Sequence, residues 1–186
     1  TTRYWLGEIT ETEYEETLDT FKTDKLFSLE MTEHAVDYAR FIIERSKTMS
    51  DPIILLEQSL NISAYAPKCS GTGDCIIVGD GVLEIIDYKY GKGHRVEAEN
   101  NPQMRLYALG AIKIFSVLYD IDTVRMTIYQ PRLTHGISTD EMPRTELESW
   151  GRTFVKPRAK LAYAGEGEFF PSESTCRFCR AGAMCK

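Results

Sequence analysis

The sequence has no long apolar run: nothing approaches the roughly 18 residues that would cross a bilayer, and no stretch reads as a signal peptide. Excess positive charge is missing too. With 22 Lys and Arg against 28 Asp and Glu the net charge is −6, so any nucleic-acid site must be a local patch. There are no internal repeats, no low-complexity segments and no linker that would divide two domains. Cysteine does not occur before Cys69, yet three of the five cysteines fall in the last eleven residues. In a cytoplasmic chain, the setting expected here, such clustering favours metal or cluster ligation over disulfides. The chain opens on Thr1, and the first residues read as a segment entered partway, so further sequence is expected upstream.

What is present, 42% hydrophobic and 27% charged residues in 186, suits one globular domain with a real core. Residues 1–25 are acidic and only weakly helical in pattern. Met31, Ala35, Tyr38, Phe41 and Ile42 mark an amphipathic helix ending near Lys47. A strand is expected over 53–62, then a hairpin with strands near 74–79 and 82–90. Asn101 and Pro102 open the clearest helix as cap and first residue. A strand from Thr123 is stopped or pushed to an edge by Pro131, and a long helical pattern over 145–165 is expected to bend at Pro157. Trp5 and Trp150 read as packing residues. The predicted fold is α/β, a mixed sheet containing an antiparallel hairpin and flanked by helices. Residues 1–170 form the domain, and a cysteine-rich tail, 171–186, packs on it.

The hairpin carries the chemistry. Asp80-Gly81 favours a two-residue turn, which puts Asp74 opposite Asp87 and places Asp74, Ile76, Val78, Leu83, Ile85, Asp87 and Lys89 on one face. A three-residue loop, 79–81, would take Asp74 off that face. Opposed like charges destabilise a strand pair, and a divalent cation between the carboxylates offsets the repulsion most simply. Mg²⁺ or Mn²⁺ needs only one or two carboxylates plus waters and substrate phosphates. The Tyr88 carbonyl would add an oxygen, and Lys89 would serve an attacking water or balance transition-state charge. The plain alternative is an Asp–Lys pair on a solvated face. Glu57, on the preceding strand, reads as a solvated glutamate and only a weak stand-in ligand.

Gln103 and Tyr107, four apart, share a face near a helix N-terminus, where anions are favoured. The alternative buries Tyr107 in the core and leaves Gln103 merely exposed. Lys92 and Arg95, with His94 and Arg105 nearby, make a local basic patch that would attract DNA phosphates. Arg132, after Gln130-Pro131, is either a further phosphate contact or a turn residue.

An acid (Asp74), an acid-x-Lys ("DYK", 87–89) and a Gln-x-x-x-Tyr ("QMRLY", 103–107) in this order resemble the RecB-type branch of the PD-(D/E)XK nucleases. The tail's Cys176, Cys179 and Cys185, spaced Cys-x₂-Cys-x₅-Cys, resemble the cysteine triplet of that branch's iron–sulfur members, the AddB-type helicase-nucleases and CRISPR-associated RecB-like exonucleases. "GTGDCIIV", "DYKYGKG", "NNPQMRLYALGA", "IYQPR" and "CRFCRAGAMC" are together most similar to a poorly characterised family of phages and prophages. The resemblance covers about residue 30 to the end. It implies Asp74 and Asp87 as metal ligands, Lys89 as the catalytic lysine, and Gln103 and Tyr107 at the active site. The implied reaction is metal-dependent hydrolysis of DNA phosphodiesters, exonucleolytic, beside phage recombination or replication proteins. An inactive DNA- or partner-binding module of the same fold is the alternative.

Spacing alone lets the three thiols hold Zn²⁺ or a [4Fe–4S] cluster; the resemblance selects iron–sulfur. In such families a fourth cysteine lies upstream of the nuclease motifs, as does a helix bearing a Glu and a His. Nothing before Cys69 supplies the first, and Glu33 and His34 do not sit in the pattern of the second. Cys69 is a possible replacement ligand, whereas Cys75 reads as a small buried residue.

Overall fold

The computed structural model describes residues 1–177, 179, 180, 182, 184 and 185. Its elements are α1 (Thr2–Trp5), α2 (Glu11–Lys22), α3 (Leu29–Ser46), β1 (Ser50–Asn61), β2 (Ser70–Tyr88), α4 (Pro102–Phe115), β3 (Ile121–Tyr129), β4 (Ile137–Pro143), α5 (Arg144–Trp150), a π-helical turn (Gly151–Val155), α6 (Lys156–Ala164) and α7 (Glu173–Cys176). The strands lie in the order β1-β2-β3-β4, with β2 and β3 parallel and the outer pairs antiparallel. This is the expected α/β architecture, a mixed sheet flanked by helices.

β2 folds back on itself. β1 pairs with its residues 70–80 and β3 with 81–88. The Tyr88 amide lies 2.8 Å from Asp74 Oδ2, although a straight strand would separate them by roughly 45 Å. The reversal falls at Asp80-Gly81, where Gly81 has φ +84°, a backbone region that costs glycine little. Side-chain placement confirms the two-residue turn. Ile76, Val78, Leu83 and Ile85 all enter one core cluster, whereas the three-residue loop would have put Glu84 there instead.

Helices cover both faces. On one, Met104, Ala108, Leu109 and Ile112 of α4 pack on Ile76, Val78, Leu83, Ile85, Val124, Met126 and Ile128. On the other, Ile42 of α3 meets Cys75, Ile77, Ile86 and Tyr129, with Tyr38, Phe41 and Tyr88 at the margin. α4 starts where its sequence requires: the Asn101 side chain accepts from the Gln103 and Met104 amides, and Pro102 occupies the first turn.

A buried ion network ties α3 to the sheet. Glu84 is fully buried. Arg45 Nε donates to both its oxygens at 2.9 Å, Thr127 Oγ1 donates at 2.7 Å, and Arg125 Nη1 donates at 3.3 Å. Arg125 also holds Glu141 on β4 at 2.7 Å.

Several elements differ from the sequence expectation. The first limb of β2 begins at Ser70 rather than 74. β4 was not expected; it is an edge strand with only Met142 buried. Residues 11–22 form a full helix, started by a Thr10–Glu13 capping box, because reciprocal capping offsets its lack of buried residues. The late helical stretch carries a π-turn at 151–155, just before Pro157. Pro157 lies in the first turn of α6, where its missing N–H is tolerated. Trp150 packs against the core, but Trp5 is 41% exposed.

Candidate functional site

The site forms where the two limbs of β2 end. Asp87 continues the second limb's alternation and faces α4: Gln103 Nε2 donates to Asp87 Oδ1 at 3.3 Å. Lys89 Nζ lies 2.7 Å from Asp87 Oδ2, but at an angle that leaves this buried oxygen without an aligned hydrogen bond. The Asp87 side chain is 4% exposed, that of Lys89 33%.

On the first limb the alternation breaks beside Asp74. A Cβ on Gly73 would meet Leu60 and Ile76, so residues 73 and 76 share a side, and the strand rolls between them. Across from this roll, Glu57 sits at φ +52°, between the regular pairs Leu56–Cys75 and Gln58–Gly73. The Asp74 carboxylate accepts from the Tyr88 amide instead of projecting squarely from the sheet. In a strand a residue's N–H and C=O leave on the same edge, so the Tyr88 carbonyl also turns toward the Asp74 limb.

Asp74, Asp87 and Glu57 thus lie near one end of the sheet, close enough for their charges to act on one another. Burial holds the Asp74 carboxyl above the usual carboxylate range. The Asp87 and Glu57 carboxylates add to the rise, against the Tyr88 amide and Lys89, which lower it. Tyr38, read from the sequence only as an apolar helix position, closes the arrangement from α3. Its hydroxyl is buried without a hydrogen-bond partner. Burial chiefly, then Cys75 and the Asp74, Asp87 and Glu57 carboxylates, push its pKa far up, so it stays a neutral donor. No sequence signal marked it, because a tyrosine on an amphipathic face looks like core.

A groove of about 930 Å³ opens onto Asp74, Glu57 and Tyr38, whereas Asp87, Lys89 and Gln103 lie outside its lining, toward α4. Its walls include Tyr14, Leu18 and Phe21 of α2, Tyr38 of α3, and Glu57, Asp74, Tyr88 and Tyr90. Residues 2–186 match a family described as a protein of unknown function, DUF2800. The chain belongs to the DUF2800 family.

The remaining expected residues of this DUF2800 chain divide. Tyr107 packs along Gly71, where an added Cβ would come within 2.5 Å of the Tyr107 ring; its contacts are with the sheet rather than with the acids. Arg105 donates to Asn100 Oδ1 at 2.8 Å and lies 3.7 Å from Asp140 and over the Trp150 ring. Arg95 pairs with Glu97 and donates to the His135 carbonyl at 2.8 Å. Lys92 is exposed, with no partner among the described residues. Gln130 was passed over, yet its buried amide donates to the His94 carbonyl at 3.0 Å and accepts from Val96 N–H at 2.7 Å. It thereby pins the loop between Lys89 and α4.

Among the described residues no three His, Cys, Asp or Glu side chains converge as metal ligands, and no helix is long and apolar enough to cross a membrane. The acid pair still suits Mg²⁺ or Mn²⁺, which are held by one or two carboxylates with waters and substrate phosphates. The buried, unaligned Asp87 Oδ2 is an acceptor of the required kind. The thiols fit less well: Cys176, Cys179 and Cys185 are exposed, Cys75 is sealed in the core, and Cys69 is half-buried. The tail meets the domain through Arg177 Nη2, 2.6 Å from His94 Nε2.

Proposed function

We propose that this DUF2800 chain is a Mg²⁺- or Mn²⁺-dependent deoxyribonuclease of the RecB-like PD-(D/E)XK kind, acting exonucleolytically with phage recombination or replication proteins. One observation carries the reading: two acids on adjacent limbs of a hairpin, one held by a backbone amide and the other flanked by Lys89 and Gln103. Asp74 and Asp87 would hold the metal, with the Tyr88 carbonyl available beside them. When bound, the cation supplies charge neutralisation and an activated water for phosphodiester hydrolysis. Gln103 fixes the rotamer of Asp87. Lys89 presents a cationic amine next to the reacting position, to orient water and balance developing charge. Tyr38 and the walls of α2 and α3 would restrict water at Asp74.

Purified protein on end-labelled DNA, with and without Mn²⁺, tests this. Cleavage should require the metal and fall at least about 100-fold in Asp87→Asn and Lys89→Ala while melting remains cooperative. Full activity in either variant would end the proposal. A second reading, a module that binds DNA or a protein partner without cutting, is favoured by the Lys89–Asp87 ion pair, which already neutralises one carboxylate. DNA binding with no cleavage under any divalent metal would select it.

The resemblance of the cysteine triplet to that of iron–sulfur nucleases supports a [4Fe–4S] cluster; the spacing alone equally allows Zn²⁺. The described residues supply three exposed thiols and no fourth ligand beside them, so no catalytic step is derived through a cluster. Iron and zinc content of protein purified without oxygen, compared with Cys176→Ser, decides between the two.

A further inference from the structure

Beside the acid site lies a second group of polar side chains that the cleavage reaction does not use. His34 comes from the first turns of α3, Tyr90 follows Lys89, and Arg132 follows Gln130-Pro131 after β3. The Arg132 guanidinium lies over the Tyr90 ring at 4.7 Å, and the His34 ring meets the same tyrosine edge-on at 5.9 Å. His34 Nε2, Tyr90 OH and Arg132 Nε are all buried atoms with no hydrogen-bond partner. Buried polar atoms are nearly always paired, and leaving one unpaired is costly. Three in one place from three segments call for an acceptor.

Glu30 provides only a partial one. Its Oε1 lies 3.5 Å from His34 Nε2 and 3.7 Å from Arg132 Nε, and neither contact is a hydrogen bond. Its side chain is 46% exposed at the start of α3, so it can swing into solvent when a better anion arrives. A phosphate group presents several acceptor oxygens in different directions and can take donors converging from three sides, guanidinium above all. Tyr90 also lines the groove that holds Asp74 and Glu57, so a strand lying in that groove reaches this group at its Tyr90 end.

We infer that His34, Tyr90 and Arg132 form a subsite for a phosphate group of the nucleic-acid strand, occupied by the Glu30 carboxylate when no strand is bound. This rests on the nuclease reading. It adds a contact that holds the strand away from the bond being broken. Gln130, clamped to the 94–96 loop, sets the position of Arg132.

The test is binding of a fluorescent single-stranded deoxyoligonucleotide to the full chain in chelator, where no metal-dependent cleavage occurs. Arg132→Gln should weaken binding about tenfold and lower the salt dependence by about one phosphate contact. Glu30→Gln, which removes the competing carboxylate, should tighten it. Arg132→Lys, which keeps the charge, covers the possibility that the glutamine variant folds poorly, and should weaken binding less. Oligonucleotides with a 5′-phosphate and a 5′-hydroxyl separate the two sources of the group. A terminal-phosphate subsite gives a preference that Arg132→Gln erases, and an internal one gives equal losses on both. Unchanged binding in folded Arg132→Gln and Glu30→Gln overturns the subsite. So does competition by inorganic phosphate with no oligonucleotide binding. The nuclease reading fails separately, if Asp87→Asn retains metal-dependent cleavage.

Discussion

The Tyr88 amide donates to the Asp74 carboxylate at 2.8 Å, joining the two limbs of β2 at the end where Asp74 and Asp87 lie. This bond steadies a carboxylate that the folded protein otherwise disfavours in its charged form.

Asp74→Asn tests that balance. Because its folded pKa is raised, Asp74 lowers stability increasingly as pH climbs from the ordinary aspartate value, about 3.9, through the raised one. In chelator the Asn variant, which still accepts from Tyr88, should melt above wild type at pH 7. The gap should close below about pH 4. Mg²⁺ should reverse it: a ligand at 100 times its Kd adds about 2.7 kcal/mol, available in full only to wild type. Identical melting profiles across pH would show that the acid pair carries no strain.

Arg45→Ala should cost about 3–5 kcal/mol in urea denaturation, because it removes the guanidinium whose Nε is shared between both oxygens of the fully buried Glu84 and leaves that carboxylate under-compensated. A loss under 1 kcal/mol would mean that Arg125 and Thr127 suffice.

Gly71→Ala should destabilise by about 1–3 kcal/mol, since the new methyl meets the Tyr107 ring at 2.5 Å. Paired with Tyr107→Ala, the loss should be less than additive. Additive losses would place the strain elsewhere.

Gln130→Leu leaves the His94 carbonyl and the Val96 amide unpaired and should cost about 1–3 kcal/mol. Hydrogen exchange should accelerate at Val96 while the amides of β3 stay protected. Unchanged exchange there would show that the loop is held by other means.

Where residues speak locally, the sequence was readable. Asp80-Gly81 defined the hairpin, Asn101-Pro102 opened α4, and the apolar face of α3 announced itself. β4 was hidden because an edge strand with one buried residue lacks a hydrophobic signature. Glu84 looked like an ordinary outward-facing position between Leu83 and Ile85; its partners Arg45 and Arg125 lie 39 and 41 residues away, beyond any periodicity. The site was legible in its residue types and less so in its shape. Period-two alternation placed Asp87 correctly, but it has no means of foreseeing the roll at Gly73 or the backbone of Glu57 at positive φ. Tyr38 and Gln130 were missed for a related reason: one resembles core and the other a loop residue until the burial of their polar ends is seen.

The parallel pairing of β3 with the second limb of β2 has a kinetic consequence. The Asp74–Tyr88 bond spans only fourteen residues, whereas Tyr129 pairs with Tyr88 only after the whole crossover has closed. Contacts of short sequence separation form sooner than distant ones. The hairpin end is therefore formed before β3 closes against it, and on the nuclease reading a cation would meet the acids on a nascent hairpin. Refolding should then run faster in Mg²⁺ than in chelator, by an amount that Asp74→Asn abolishes.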